Sequence, residues 1–127
     1  MRMTWMFAFV LAAGCSNKLS GTLEIDGHAV EISSCRNGRV YGFRGVELTA
    51  ATGERLRVAL APTGEAVVIL MAKGASTGAE LGKCGSLEVS DQSSEINDVK
   101  NVEGKMELDC AADGSAIKGS VKFGNCH

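Results

Sequence analysis

The sequence is poor in residues that interrupt sheets and in residues that build most active sites. It contains a single proline, Pro62, and aromatic residues make up 5% of it. Only two histidines occur, His28 and His127, and no nucleophile-elbow motif surrounds a serine. No segment keeps the 3.6-residue apolar period of an amphipathic helix. These absences exclude a helical domain and supply no convergent catalytic set, so we predict a protein that is not an enzyme.

An excess of positive charge is also missing, and so is a long apolar run. The chain carries 13 Lys and Arg against 15 Asp and Glu, a formal net charge of −2. Nucleic acids and anionic membranes attract strongly basic surfaces, so no nucleic-acid partner and no polybasic membrane patch are predicted. The apolar run from Trp5 to Ala13 is far too short to span a bilayer as a helix.

The N-terminus instead has the layout of a secretory signal. Arg2 precedes the apolar run, and the small residues Gly14 and Cys15 follow it. The ending Leu11-Ala12-Ala13-Gly14-Cys15 resembles the lipobox of bacterial lipoproteins. The resemblance implies that the Cys15 thiol receives a diacylglyceryl group, that the chain is cut before Cys15, and that the new amine is acylated. An ordinary cleaved signal with an incidental cysteine is the alternative.

This resemblance divides the chain and predicts its location. We expect a signal peptide over 1–14, a lipidated tether over 15–21 and a β domain over 22–127. The stretch from Ser16 to Gly21 has the polar character of a tether between an anchor and a folded body. Two or more acyl chains hold a protein stably on a membrane. In two-membrane bacteria, serine after the lipidated cysteine favours the outer membrane, so we predict a lipid-anchored cell-envelope protein.

The composition after the signal predicts an all-β chain. Sixteen glycines accompany many Val, Leu, Ile and Thr residues in short runs. Five turns are indicated: Asp26-Gly27, Asn37-Gly38, Ala51-Thr52-Gly53, Thr63-Gly64 and Asp113-Gly114. We therefore predict about eight short strands in an antiparallel meander, which closes as a small barrel or folds as a sandwich because a flat sheet would expose its edges.

Each turn also predicts which apolar residues face one another across the two strands. The predicted pairs are Leu23–Val30 and Gly21–Ile32, Ile32–Phe43 and Ser34–Tyr41, Leu48–Leu56 and Val46–Val58, Leu60–Val67, Val58–Ile69 and Leu56–Met71, and lastly Cys110–Ile117, Leu108–Gly119, Met106–Val121 and Gly104–Phe123. In this register Tyr41 and Phe43 share the face of Ile32, so we expect both aromatic residues in the core.

Four cysteines remain after Cys15, namely Cys35, Cys84, Cys110 and Cys126. An even number in a small exported domain predicts two disulfides. If the strands over 87–92 and 102–108 are neighbours, Cys84 and Cys110 lie at the same open end of their hairpin. Their pairing leaves Cys35 with Cys126. The rival pairing of Cys110 with Cys126 requires the chain to double back at Gly124-Asn125.

A second resemblance concerns the two ends of the β domain. Leu23-Glu24-Ile25-Asp26-Gly27 leads to Cys35, and a terminal strand ends in Cys126 close to the last residue. These features resemble the mycobacterial lipoprotein antigen family, which consists of acylated envelope proteins with a compact β domain. The resemblance implies a Cys35–Cys126 disulfide and surface exposure, and it brings no catalytic residue.

These observations favour a non-enzymatic, lipid-anchored envelope lipoprotein whose disulfide-stabilised β domain binds a partner or supports the envelope. A barrel that holds a small apolar ligand is the first alternative. A secreted hydrolase using His28 with Ser33 or Ser34, or a protease inhibitor, is the second. The cysteines lack zinc-site spacing, and the acidic stretch over 91–98 lacks the regular oxygen spacing of a calcium loop, so no metal or cofactor is predicted.

Overall fold

Nine antiparallel strands form the regular structure of the residues that the structure describes. The computed structural model describes residues 17–40, 42–96, 99–112 and 114–127. The strands are β1 (Lys18–Ile25), β2 (His28–Val30), β3 (Ile32–Val40), β4 (Phe43–Ala50), β5 (Arg55–Leu60), β6 (Glu65–Met71), β7 (Ala79–Ile96), β8 (Val99–Ala112) and β9 (Ser115–Cys126). The described residues contain no helix of the length and apolar character needed to cross a membrane.

All nine strands belong to one sheet with the order β2-β1-β9-β8-β7-β6-β5-β4-β3. The sheet curls until β3 contacts β1 and β9, so it forms a nearly closed barrel instead of two packed sheets. Only Glu31 separates β2, which pairs with β1, from β3, which pairs with β4. Taken as one bent strand, they give eight strands, and the predicted all-β antiparallel meander is confirmed.

The first, third and fifth predicted turns are confirmed with their registers. Leu23 pairs with Val30 at the first turn, where Asp26 and Gly27 both have positive φ, as a two-residue hairpin loop requires. The other confirmed pairs are Leu48–Leu56, Val46–Val58, Cys110–Ile117, Leu108–Gly119, Met106–Val121 and Gly104–Phe123. The prediction of Gly21 opposite Ile32 is wrong, because β2 ends at Val30 and Gly21 pairs with Val121 of β9.

The second turn lies four residues later than predicted. Val40 pairs with Phe43, so Asn37-Gly38 lies inside β3, and the predicted partners of Ile32 and Ser34 are wrong. Ile32 instead faces Ala50. The later turn accounts for most of this change, and a bulge between Ile32 and Ser34 adds one residue that reverses the alternation of faces. Ile32 and Cys35 can therefore both contact the core.

The fourth turn contains three residues where the sequence analysis assigned two. The Ala61 N–H donates to the Glu65 carbonyl and the Gly64 N–H donates to the Ala61 carbonyl, so Pro62 belongs to the loop. The third turn has the same hydrogen bonds one hairpin earlier. The observed pairs are Leu60–Ala66, Val58–Val68 and Leu56–Leu70, one residue away from the predicted register.

This one-residue shift exchanges the two faces of β6, since side chains alternate along a strand. Ala66 and Val68 contact the main core. Ile69 and Met71, which the predicted register placed in that core, lie on the opposite face in a second buried cluster with Val40, Ala59 and the partly buried Val67. The barrel wall is therefore apolar on both faces along β6, whereas the outer face of β5 also carries Arg55 and Arg57.

Side chains fill the inside of the barrel. The largest fully buried ones are Leu48, Met106, Ile117, Val46, Val58, Val68, Val102, Val121, Cys110 and Cys126. Glycine permits the tight curl of the wall at Gly104, where an added Cβ would lie 1.8 Å from the Glu88 carbonyl oxygen of the neighbouring strand. The interior is therefore a packed core. The absence of a side chain at Gly104 lets the neighbouring strands approach closely enough to enclose it.

The first strand begins earlier than the predicted domain boundary. β1 pairs with β9 from Lys18–Gly124 to Ile25–Ile117. Residues 18–21, predicted as part of the tether, therefore belong to the barrel. Two residues, 16 and 17, lie between the predicted lipidation site, Cys15, and the first strand.

Candidate functional site

The meander gives the barrel two different ends. The N-terminal end contains Asn17, the β3–β4, β5–β6 and β7–β8 turns, and Cys126, because β1 begins there and β9 finishes there. The far end contains the β1–β2, β4–β5, β6–β7 and β8–β9 connections. The direction of β1 thus fixes which loops lie beside the predicted anchor.

The barrel closes at a seam, which we define as the contact of β3 with Asn17 and the end of β9. The Cys35–Cys126 disulfide crosses this seam and joins residues 91 apart in the chain. Both cysteines are buried, with exposed fractions of 2% and 0%. The prediction that Cys35 pairs with Cys126 is confirmed.

Asn17 completes the seam with its side chain. The Cys35 N–H donates to Asn17 Oδ1 at 2.8 Å, and Asn17 Nδ2 donates to the Asn125 carbonyl at 2.7 Å. Asn17 therefore satisfies a backbone group on each side of a gap that has no continuous ladder. A residue of the predicted tether is thus fixed to both sides of the barrel's closure.

Two further side-chain amides support this end. Asn37 Nδ2 donates to the Lys100 carbonyl at 3.1 Å, linking β3 to the β7–β8 hairpin. Gln92 accepts from the Asn125 N–H at 2.8 Å and donates to Asn125 Oδ1 at 3.1 Å. The hairpin, the last strand and the seam are therefore held in one arrangement.

The second disulfide lies away from the seam. Cys84 and Cys110, 26 residues apart, are joined on β7 and β8, as predicted. These strands pair from Gly85–Leu108 onward, so the bridge lies at the open end of a hydrogen-bonded hairpin. A groove of about 710 Å³ borders Cys84 on the outer wall, where Glu107, Asp109 and Lys118 also contribute.

Charged side chains surround the mouth of the barrel at the N-terminal end. Arg39 and Arg44 are cross-strand partners, an unfavourable placement for two like charges. Arg44 forms an ion pair with Asp91, and Arg39 donates to the Gly42 carbonyl at 2.9 Å. A hollow of about 350 Å³ is lined by Arg39, Arg44, Asp91 and Val99. The ion pair thus connects the β3–β4 and β7–β8 hairpins at this mouth.

Two large apolar side chains are exposed at the same end. Phe43 is 47% exposed and Val99 is 42% exposed, and they are the exposed large hydrophobic residues of the part of the chain that the structure describes. The prediction that Phe43 belongs to the core is wrong, because the β3–β4 turn precedes it directly. Tyr41, predicted to accompany it, lies outside the described residues.

The far end has a different lining. A hollow of about 330 Å³ is bordered by Asp26, Glu54, Thr77 and Ser115. Asp26 Oδ1 accepts from the Ala116 N–H at 2.8 Å, and Thr52 donates to the Glu54 carboxylate. Both carboxylates are thus engaged in organising their own turns.

The residues considered for catalysis and metal binding are dispersed. His28 is exposed on β2 opposite Ile25, while Ser33 donates to the Thr49 carbonyl. His127 follows the end of β9, after Cys126 of the seam. Within the described ranges, no three His, Cys, Asp or Glu side chains are grouped as a metal would require.

Sequence reasoning found the cysteines of the seam and missed Asn17. No local pattern identifies this asparagine, because its partners lie 18 and 108 residues away in the chain. The predicted lipidation site, Cys15, lies outside the described residues. One feature of the sequence could have predicted that Phe43 is exposed. Gly42 has a φ of 80°, and glycine readily adopts the positive φ that a turn directly before Phe43 needs.

The fold and the seam define a class of protein: a small up-and-down antiparallel barrel closed by a long-range disulfide. Structural disulfides of this kind form in oxidising compartments. Comparisons with protein-family models, with curated proteins and with solved structures gave no match. The functional argument therefore depends on the geometry of this chain.

Proposed function

We propose that this protein is a non-enzymatic lipoprotein of the cell envelope, anchored by acyl chains on Cys15, whose barrel is a rigid body presented for binding or envelope support. The observation that carries the proposal is the bonding of Asn17 into the seam. The chain that leads from the lipobox cysteine is fixed to the barrel two residues later. Acyl chains on Cys15 would thus be joined to the folded barrel by a linker of only two residues.

The disulfides support the same proposal. Two bridges in a domain of this size indicate folding outside the reducing cytosol, as expected for a chain exported by an N-terminal signal. The four cysteines of the described region are all consumed in these bridges. Cys15 is the cysteine left for the thioether that the lipobox resemblance implies.

The packed interior favours a presented body over a ligand-holding barrel. Barrels that carry a small apolar ligand keep internal space for it. Here the inward positions hold Leu48, Met106 and Ile117, each at most 1% exposed, in one continuous core cluster. The hollows described above lie at the surface of the protein and not inside this core.

The test is the intact mass of the protein extracted from membranes after expression of the full chain in a bacterium that processes lipoproteins. We expect a chain that begins at Cys15 and carries acyl groups, recovered in the membrane fraction. Cys15→Ala is expected to lose the acyl mass and the membrane association.

Cys84→Ala/Cys110→Ala is the matched control, because it removes two cysteines without touching the lipobox. This variant is expected to keep the acyl mass. An unmodified wild-type chain, or a chain beginning at another residue, would refute the proposed function.

A further inference from the structure

The N-terminal end of the barrel differs from the rest of the described surface in its apolar exposure. Phe43 follows the β3–β4 turn and Val99 begins β8 directly after the β7–β8 turn. Both turns lie at the end where Asn17 enters β1. Exposed apolar side chains on neighbouring projections indicate a contact surface, since water solvates them poorly.

The two hairpins project past the point where the chain enters the barrel. Val102 pairs with Cys126 beside Asn17, and Val99 lies three residues further out, about 10 Å along an extended strand. On the other side of the seam, Cys35 bonds Asn17, and Val40, the partner of Phe43, lies five residues further out, about 17 Å along the strand. Both exposed side chains thus lie beyond the entry point.

The chain outside the barrel is too short to hold the body away from an anchor. Cys15 precedes Asn17 by two residues, and two residues extend no more than about 7 Å. Asn17 is itself bonded to Cys35 and Asn125, so it cannot add to this length without breaking the seam. Acyl chains on Cys15 would enter a bilayer beside the hairpin tips.

The charges of the two hairpins do not favour binding to an anionic membrane surface. Three cations occur in residues 37–46 and 91–102, namely Arg39, Arg44 and Lys100. Three acids occur in the same ranges, namely Asp91, Glu95 and Asp98. Because the two signs balance, apolar contact is the available driving force, and salt is expected to have little effect on it.

We infer that the N-terminal end of the barrel lies on the surface of the lipid bilayer, with Phe43 and Val99 inserted among the headgroups, and that the far end faces away from it. The inference rests on the proposed acylation of Cys15. In this arrangement the bilayer contacts the folded barrel as well as the acyl chains. Another partner would then bind the loops of the far end.

The chain offers a clean probe for this orientation. Its single tryptophan, Trp5, belongs to the predicted signal peptide, so the processed protein would contain none. Three variants each introduce one tryptophan: Phe43→Trp and Val99→Trp at the N-terminal end, and Ala51→Trp as the control in an exposed turn of the far end. Each acylated protein is reconstituted into zwitterionic phosphatidylcholine vesicles with or without bromine on the acyl chains.

Docking predicts that Phe43→Trp and Val99→Trp emit at shorter wavelength than Ala51→Trp and are quenched at least about twofold more by brominated lipid, because interfacial side chains insert about 5–10 Å. The quenching should persist at high salt. Two variants on separate hairpins guard against a local folding defect, and non-reducing peptide mapping checks both disulfides in each.

The outcomes separate the two proposals. Equal quenching of all three tryptophans, in protein that floats with the vesicles, would overturn the docked orientation and leave the lipid anchor in place. Stronger quenching at Ala51→Trp would reverse the orientation. A processed wild-type chain that carries no lipid and does not float would refute the anchor and the docking together.

Discussion

The seam and the β7–β8 wall are both crossed by a disulfide, yet the two bridges hold different structures. Cys84–Cys110 joins strands that already exchange ladder hydrogen bonds from Gly85–Leu108 onward. Cys35–Cys126 joins β3 to β9, which are not neighbours in the hydrogen-bonded order of the described strands. Without its disulfide, the β7–β8 wall would still be held by the hydrogen bonds of the hairpin. The seam has no backbone ladder among the described strands, so it depends much more on its disulfide.

A meander can thus avoid an exposed edge without complete backbone pairing of its edge strands. An unpaired edge strand is a template for association with other chains. At the seam, a buried disulfide and the Asn17 amide cover this gap instead of a ladder. Side chains hold the strands together at the seam, whereas backbone hydrogen bonds hold them together in the β7–β8 wall. The two regions should therefore respond differently to substitution.

The largest expected difference comes from removing each bridge. Cys35→Ala/Cys126→Ala is expected to lower the free energy of unfolding by about 4–5 kcal/mol, and Cys84→Ala/Cys110→Ala by about 3–4 kcal/mol, since the stabilisation grows with the length of chain between the cysteines. Urea titration of both double variants measures this. Equal losses, or a larger loss at the wall, would contradict the distinction between the two regions.

A smaller effect tests the curl of the wall. Gly104→Ala places a Cβ 1.8 Å from the Glu88 carbonyl, so β7 and β8 must separate, and we expect a loss of about 3 kcal/mol. Gly38→Ala is the matched control in β3, because an added Cβ there meets nothing within 4 Å. It should change stability by no more than about 0.5 kcal/mol. Similar losses at both positions would argue against tight approach as the cause.

The smallest expected effect concerns the amides of the seam. Asn17→Ala removes two hydrogen bonds and leaves the Cys35 N–H without its acceptor, so we expect a loss of about 1–2 kcal/mol and faster amide exchange at Cys35. Asn37→Ala removes one exposed bond and should cost about 0.5 kcal/mol. Unchanged exchange at Cys35 in Asn17→Ala would show that the seam does not depend on this side chain.

Turn residues predicted the pairing where the loop length was unambiguous. Asp26-Gly27 and the turn that contains Gly114 gave correct registers because two-residue loops fix the opposing pairs directly. Asn37-Gly38 failed although it is a stronger local signal than Gly42. The bulge at Ser33, the burial of Cys35 and the contact of Asn37 with Lys100 all depend on strands distant in the sequence.

The error at Thr63-Gly64 shows how a small local ambiguity becomes a large structural difference. Including Pro62 in the loop moves the register by one residue. Because side chains alternate, Ile69 and Met71 then leave the main core for the opposite face. The third turn, Ala51-Thr52-Gly53, offered the correct template, since its pattern of an alanine before and a glutamate after the loop is repeated.

Sequence patterns predicted the strand content, the meander and the Cys84–Cys110 pair, because glycine turns, alternation and hairpin geometry act between residues of neighbouring strands. Pairing these two cysteines left Cys35 with Cys126, a contact that only the closed barrel brings about. The tertiary structure was needed to show where the barrel closes and that Phe43 and Val99 are exposed at the end of the barrel where the chain enters. Those outcomes depend on contacts between strands far apart in the chain, and a one-residue change in any loop alters which side chains can meet.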